Sequence, residues 1–183
     1  GMSYIIPGAA GWIRGNIFEK GTNNTVRNSI FQYINDAFAI GWRGSMFPLA
    51  ENVLFQYNDW FKNTVWTPSA SDNFRESSHW YLDSPVFGGS IFRYITTQQN
   101  HTGGLQPGFR SLVEYARIEN HYINIDGSGI QRTVGPTVGS TTRYCWLLNT
   151  NRNGMRFDSQ CAGTDGVVHN VVSAGNKIAY RLK

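Results

Sequence analysis

Four short runs separated by turn chemistry close this sequence, and they constrain its fold more than any other stretch. TRYCWLLN, from Thr142, carries Tyr144, Trp146 and Leu148 on one side, and Thr150-Asn151-Arg152-Asn153-Gly154 then supplies residues that tolerate left-handed backbone. Met155-Arg156-Phe157-Asp158 returns. Gly163-Thr164-Asp165-Gly166 leads to VVHNVV, and Ser173-Ala174-Gly175-Asn176 leads to the final run. There Ile178, Tyr180 and Leu182 alternate with Lys177, Arg181 and Lys183, the period of a half-buried strand. The spacing predicts a small antiparallel sheet laid back and forth.

Upstream, three stretches carry helical spacing. Asn24 or Thr25 would cap a helix whose face holds Val26, Ile30, Tyr33, Ile34, Ala37 and Phe38, stopped by Gly41. A second would run from Pro48 to Lys62, repeating Leu49, Val53, Tyr57, Trp60 and Phe61. A third would begin near Pro107 or Gly108 and bury Phe109, Leu112, Val113 and Ala116. Residues 4–18 read as a broken apolar segment of short strands or an extended arm, Ser84 to Thr97 as two strands about Gly88-Gly89, and 124–141 as an exposed Gly-, Thr- and Ser-rich connection. No repeat of fixed period is present. The length of 183 residues fits one domain, 3–183, with Gly1-Met2 reading as the remnant of a cleaved tag. No apolar run reaches membrane-spanning length, so no membrane insertion is expected.

Only 15% of residues are charged, while six Trp, nine Tyr, eleven Phe and many Asn give flat side chains and amides. Such a composition suits either a surface for sugars and receptors or an aromatic core. The net charge is +4, and the basic surplus gathers from Arg132 onward, where seven basic residues face two acids. With Arg143, Arg152, Arg156 and Arg181 on one surface, an acidic polymer would be attracted; scattered surface charge is the plainer reading. Nucleic acid is not expected, since no cluster of Lys and Arg appears.

Asn63 to Tyr81 lacks periodicity yet holds Trp66, His79, Trp80 and Tyr81, and a long aromatic loop is a natural place for contacts. These four, with Asn151, Arg152 and Asn153 of the first sheet turn, are the expected ligand-binding residues. Catalysis would need other groups. Cys145 with His169, oriented by Asp165, is one nucleophile-and-base set, against the commoner buried cysteine and satisfied strand histidine. Glu76 and Asp83 are the other candidates, for a glycosidase that needs two carboxylates about 5 to 9.5 Å apart. Cys145 and Cys161 could form a disulfide or stay as free thiols. The histidines at 79, 101, 121 and 169 are scattered and no phosphate loop is present, so no metal and no cofactor is expected.

Leu105-Gln106-Pro107 before FRSLVEYAR, then Tyr144-Cys145-Trp146, then Ala179-Tyr180-Arg181 resemble the C-terminal half of C-type-lectin-like folds. The bacterial and phage branch is nearest, which includes formylglycine-generating-enzyme-like, fibrobacter-major-domain and phage tropism-determinant proteins. Gln106-Pro107-Gly108 carries no acid and the Trp-Asn-Asp triplet of the calcium-dependent lectins is missing, so no calcium site is implied. The expected fold is then α+β, about three helices on a mostly antiparallel sheet with a C-type-lectin-like C-terminal half. The expected function is a non-enzymatic binding module for a cell-surface glycan or protein receptor, as in a phage tail fibre or bacterial adhesin. That places it outside the cell, on a cell surface or on a virion. Alternatives are a small cell-wall or polysaccharide hydrolase, and a structural subunit of a fibre or capsid, the latter a homo-oligomer.

Overall fold

The computed structural model describes residues 16–19, 22–32, 38–43, 47–57, 72–76, 89–100, 103–107, 110–121, 128–133, 139–158 and 166–182. They form strands β1 (Asn16–Glu19), β2 (Thr25–Gln32), β3 (Phe38–Arg43), β4 (Leu49–Gln56), β5 (Asp72–Glu76) and β6 (Ile91–Gln98). There follow β7 (Gly103–Gln106), β8 (Leu112–Glu114), β9 (Arg117–Glu119), β10 (Ser128–Thr133) and β11 (Thr141–Arg143). The last are β12 (Trp146–Leu148), β13 (Asn153–Asp158), β14 (Val167–His169), β15 (Val172–Ala174) and β16 (Ile178–Leu182). No helix occurs among the described residues, which overturns the α+β expectation, its three helices and its lectin-like C-terminal half.

Every strand pairing is parallel. Sheet one is seven strands in the order β1-β3-β5-β7-β10-β13-β16. Sheet two has nine: β2, β4 and β6 pair along their length, and beyond β6 it divides into β8-β11-β14 and β9-β12-β15. The chain alternates between the sheets, so each strand pairs with its counterpart one coil away and the whole is a β-solenoid. Coil length varies, with 24 residues from Asn28 to Asn52, 21 from Arg93 to Glu114, 29 from Glu114 to Arg143 and 26 from Thr150 to Asn176.

Columns of like position fill the interior. Ala50, Phe92, Val113 and Thr142 form one, Val53, Ile95, Ala116 and Cys145 a second, and Phe55, Thr97, Ile118 and Leu147 a third, all buried. Leu105, Ile130 and Met155 close it from sheet one. Each large apolar side chain removed from water stabilises the coil by about 2 kcal/mol. Several polar groups inside are tied to one another: Thr97 Oγ1 and His121 Nε2 are 2.8 Å apart, and Arg132 donates to Ser111 at 2.5 Å and Thr142 at 2.9 Å.

The Gly-rich stretch read as an exposed connection instead contains β10, whose Ser128, Ile130, Gln131 and Arg132 are all buried. Gly129 is needed there because a Cβ would lie 2.7 Å from the Gly154 carbonyl on the next strand. The four runs at the C-terminal end are strands as expected, yet none forms a hairpin with the next. Met155 pairs with Ile130 behind it and Tyr180 ahead of it.

Candidate functional site

Sheet two bends once per coil, and the bend residue holds a left-handed backbone. Asn28, Asn52, Tyr94, Tyr115, Tyr144 and Asn170 all occupy this corner, with φ between 49° and 54°. Asparagine adopts such a backbone readily, whereas three tyrosines in succession store about 1 kcal/mol or more of strain each. Their side chains point outward and are about half exposed, at 54%, 46% and 41% for Tyr94, Tyr115 and Tyr144. The rings stack on one another, with centroids 5.1 Å apart at 12° for Tyr94 and Tyr115 and 5.3 Å apart at 8° for Tyr115 and Tyr144. His169 meets the far side of Tyr144 edge-on at 5.7 Å.

At the other end the corner changes from tyrosine to the much shorter asparagine. A groove of about 460 Å³ opens at this step, lined by Asn28, Asn52 and Tyr94 at the corner and by Ile30, Leu54, Thr96 and Gln98 beyond it. The two amides are tied, Asn52 Nδ2 donating to Asn28 Oδ1 at 2.8 Å. A second amide run borders the face, where Gln32 donates to Gln56 at 2.8 Å and Gln56 to Gln99 at 3.2 Å.

On the opposite side of the corner the outward residues in register are Arg27, Glu51, Arg93, Glu114 and Arg143, then His169. Charge alternates along the five, and salt bridges join them: Arg27 to Glu51 at 2.9 Å, Arg93 to Glu51 at 3.8 Å, and Arg93 and Arg143 to Glu114 at 2.7 Å each. Burial alone would push the Glu114 carboxyl up, but the hydrogen bonds and positive charge of Arg143 and Arg93 outweigh it and hold the group below its ordinary value. Arg143 is raised, first by its hydrogen bond to Glu114. Past the corner, Trp146 is 52% exposed with the Arg117 guanidinium 5.9 Å from its ring centre, and Arg117 is itself bridged to Glu119 at 2.8 Å.

No protein-family model, curated protein or solved structure matches this chain. The geometry must therefore carry the functional reading.

Of the expected ligand-binding residues, Trp66, His79, Trp80 and Tyr81 lie outside the described residues. Asn151, Arg152 and Asn153 do not form a hairpin turn; they lead from sheet two into sheet one, with Asn151 exposed, Arg152 half-buried and Asn153 buried at the start of β13. Cys145 and His169 do not meet. The Cys145 side chain is inside the coil and His169 is exposed on the outer face, so the sheet separates them. Cys145 is a free thiol that burial pushes up to about 11, donating to the Arg143 carbonyl at 3.1 Å. Cys161, Asp165 and Asp83 lie outside the described residues, and of Glu76 only the backbone, at the end of β5, is described.

The surface of four arginines is also dispersed. Arg143 sits on sheet two against Glu114, while Arg156 is buried in sheet one, next to Arg181 in register. Among the described residues no cluster of three or more His, Cys, Asp or Glu could hold a metal, and no helix is long and apolar enough to cross a membrane.

The residues that sequence reasoning missed are Asn28, Asn52 and Tyr94. Their signal is a short motif, an inward residue, a charged or His residue, Asn or Tyr, then an inward residue. It reads VRNS, AENV, FRYI, VEYA, TRYC and VHNV from residues 26, 50, 92, 113, 142 and 168.

Proposed function

We propose that this chain is a non-enzymatic binding module that takes a cell-surface glycan on the outer face of sheet two. The observation that supports the reading is the groove at the step from Tyr94 to Asn52, which combines an aromatic ring with amide and hydroxyl groups. A sugar offers the complement of both, since its C–H face packs on a ring and each hydroxyl donates and accepts. Pockets that orient small ligands share this mixture of apolar wall and a few placed polar groups. The lining contains no carboxylate or other group fitted to break a glycosidic bond. Service on a bacterial or virion surface, as in an adhesin or a phage fibre, accords with the low charge and aromatic surface.

The test is retention on immobilised cell-surface glycans, with the soluble fraction assayed in parallel for newly formed reducing ends. Retention on one or more glycans without cleavage is expected. Absence of retention, or release of reducing ends, would sink the reading.

A further inference from the structure

We infer that the groove takes one uncharged pyranose ring, stacked on the open face of Tyr94 with its hydroxyls against the Asn28–Asn52 pair. This rests on the glycan reading above and names the ligand class and size.

The ring face comes first. A tyrosine has two faces, and Tyr115 covers one face of Tyr94 at 5.1 Å. Tyr115 itself lies between Tyr94 and Tyr144, which leaves its ring only an edge toward solvent. The second face of Tyr94 looks along the coil toward Asn52, its neighbour in register between the Glu51–Arg93 and Val53–Ile95 pairs. Asparagine is shorter than tyrosine by most of a ring, so the outer part of that face overhangs the groove it lines. Of the three stacked tyrosines, Tyr94 alone has such a face turned to a cavity.

Asn28 and Asn52 supply the polar half of the groove. Asn28 and Asn52 together offer two amide groups, and their mutual bond uses one donor and one acceptor lone pair. Both amides keep further N–H donors and carbonyl capacity at an exposed position, and Gln98 and Thr96 add more from the same lining. Donors and acceptors side by side match adjacent sugar hydroxyls, each of which does both.

Charge selects the class. The lining holds no Asp, Glu, His, Lys or Arg. The charged neighbours Arg27, Glu51 and Arg93 are joined by salt bridges along the adjacent row, so an anionic sugar would find each nearby cation already paired. Bringing a uronate here would cost desolvation without a matching partner. Size follows from the stack, for the remaining tyrosine faces are occupied by one another and the ring of Trp146 carries Arg117. Further sugars of a chain laid along this row therefore meet no second open tyrosine face in the row.

The experiment is calorimetric titration of the full chain with neutral gluco-, manno-, galacto- and xylo-oligosaccharides of one to six units. A uronic-acid series is run beside them at low and moderate salt. Binding of a neutral saccharide is expected, with affinity level beyond the first one or two units and unmoved by salt. Tyr94→Ala should weaken it about tenfold or more, the loss of one ring contact, and Tyr94→Phe, which keeps the ring, should weaken it far less. Should Tyr94→Ala fail to fold, Thr96→Trp fills the groove with the stack intact and must also weaken binding. Affinity that climbs with each added unit, preference for uronates that fades with salt, or full binding by a folded Tyr94→Ala or Thr96→Trp variant would overturn the inference while leaving a glycan-binding module in place. Binding of no saccharide would overturn both.

Discussion

Arg143 grips Glu114 with two hydrogen bonds, Nε and Nη2 donating to the same Oε2 at 2.9 and 2.7 Å, across 29 residues of sequence. Arg93 holds the other oxygen at 2.7 Å from the strand on the opposite side. The Glu114 side chain is only 4% exposed while those of Arg93 and Arg143 are 36% and 38% exposed, so one nearly buried acid is shared by two partly solvated arginines. Without it the guanidinium groups of Arg93 and Arg143, two strand spacings apart, would face each other with no anion between them.

Replacing Glu114 with Ala should therefore destabilise the fold by about 2 kcal/mol. That lies between the ~1 kcal/mol of an exposed pair and the ~3–5 kcal/mol of a broken buried one. The denaturant midpoint should fall with the slope unchanged. Glu51→Ala, whose acid is 27% exposed, should cost less, and an equal or larger loss there would mean that burial does not set the strength of this row.

The same carboxylate predicts a pH dependence. Its folded value is lowered below the unfolded one, so its contribution is complete above the unfolded value of about 4.3 and is lost as pH falls through the folded value. In Glu114→Gln the group no longer titrates. The stability difference between the native chain and this variant should be widest near neutrality and shrink below about pH 4, measured by denaturant midpoints across the acid range. A difference constant from neutral to acid pH would show that the charge of Glu114 does not stabilise the fold.

Much of the strand pattern was legible and its pairing was not. Period two located the runs that became β11 to β16, because each strand there has alternating faces whichever way it pairs. Turn residues suggested hairpins, yet Asn149 and Gly175 are corners with positive φ that pass the chain from one sheet to the other. A parallel partner lies a full coil away, and no local signal records it. Helical spacing misled for a related reason. The corner residue adds one outward position, so inward residues fall at i, i+3 and i+5, as in Ala50, Val53 and Phe55 or Val113, Ala116 and Ile118. The first of those intervals, three residues, imitates a helix stripe. Ile30, assigned to the buried face of the first helix, is 65% exposed, and Tyr144 and Trp146 point outward around inward Cys145.

The groove residues were hidden by unequal coil lengths. A search for a fixed period cannot align VRNS, AENV and FRYI when the loops between them differ. Charged-then-Asn or charged-then-Tyr pairs flanked by inward residues are visible once spacing is allowed to vary. Such pairs mark the corner because Asn tolerates left-handed backbone and the residue before it faces solvent.

Cys145 offers a direct check on thiol chemistry in this part of the coil. Buried, raised to about 11 and bonded to a backbone carbonyl, it carries almost no thiolate at neutral pH. Alkylation at pH 8, mapped by mass spectrometry to the Cys145 peptide, should be undetectable in the native chain and rapid in denaturant. Cys145→Ser should leave saccharide binding unchanged, because the side chain lies inside the sheet whose outer face carries the groove. Fast native alkylation would place the thiol at the surface and reopen a nucleophilic role.

The final coil should open first. Positions that are sealed in earlier coils are uncovered there: Val168 is 36% exposed where Phe92 and Val113 are buried, and Tyr180 is 44% exposed where Ile130 and Met155 are buried. Among the described residues, strands β14, β15 and β16 also have a paired neighbour on one side only. In a solenoid each coil is stabilised by the coils it touches, so one with a single neighbour loses about half of that support. Amide exchange should then be fastest in β14, β15 and β16, slower in β11 to β13, and slowest in β6 and β8 to β10, with opening energies rising inward in that order. Uniform protection from β6 to β16 would show that all the coils open as one unit, or that another surface covers Val168, Tyr180 and Leu182 in solution. Light scattering separates these outcomes, since only a second copy seated on the last coil would raise the mass.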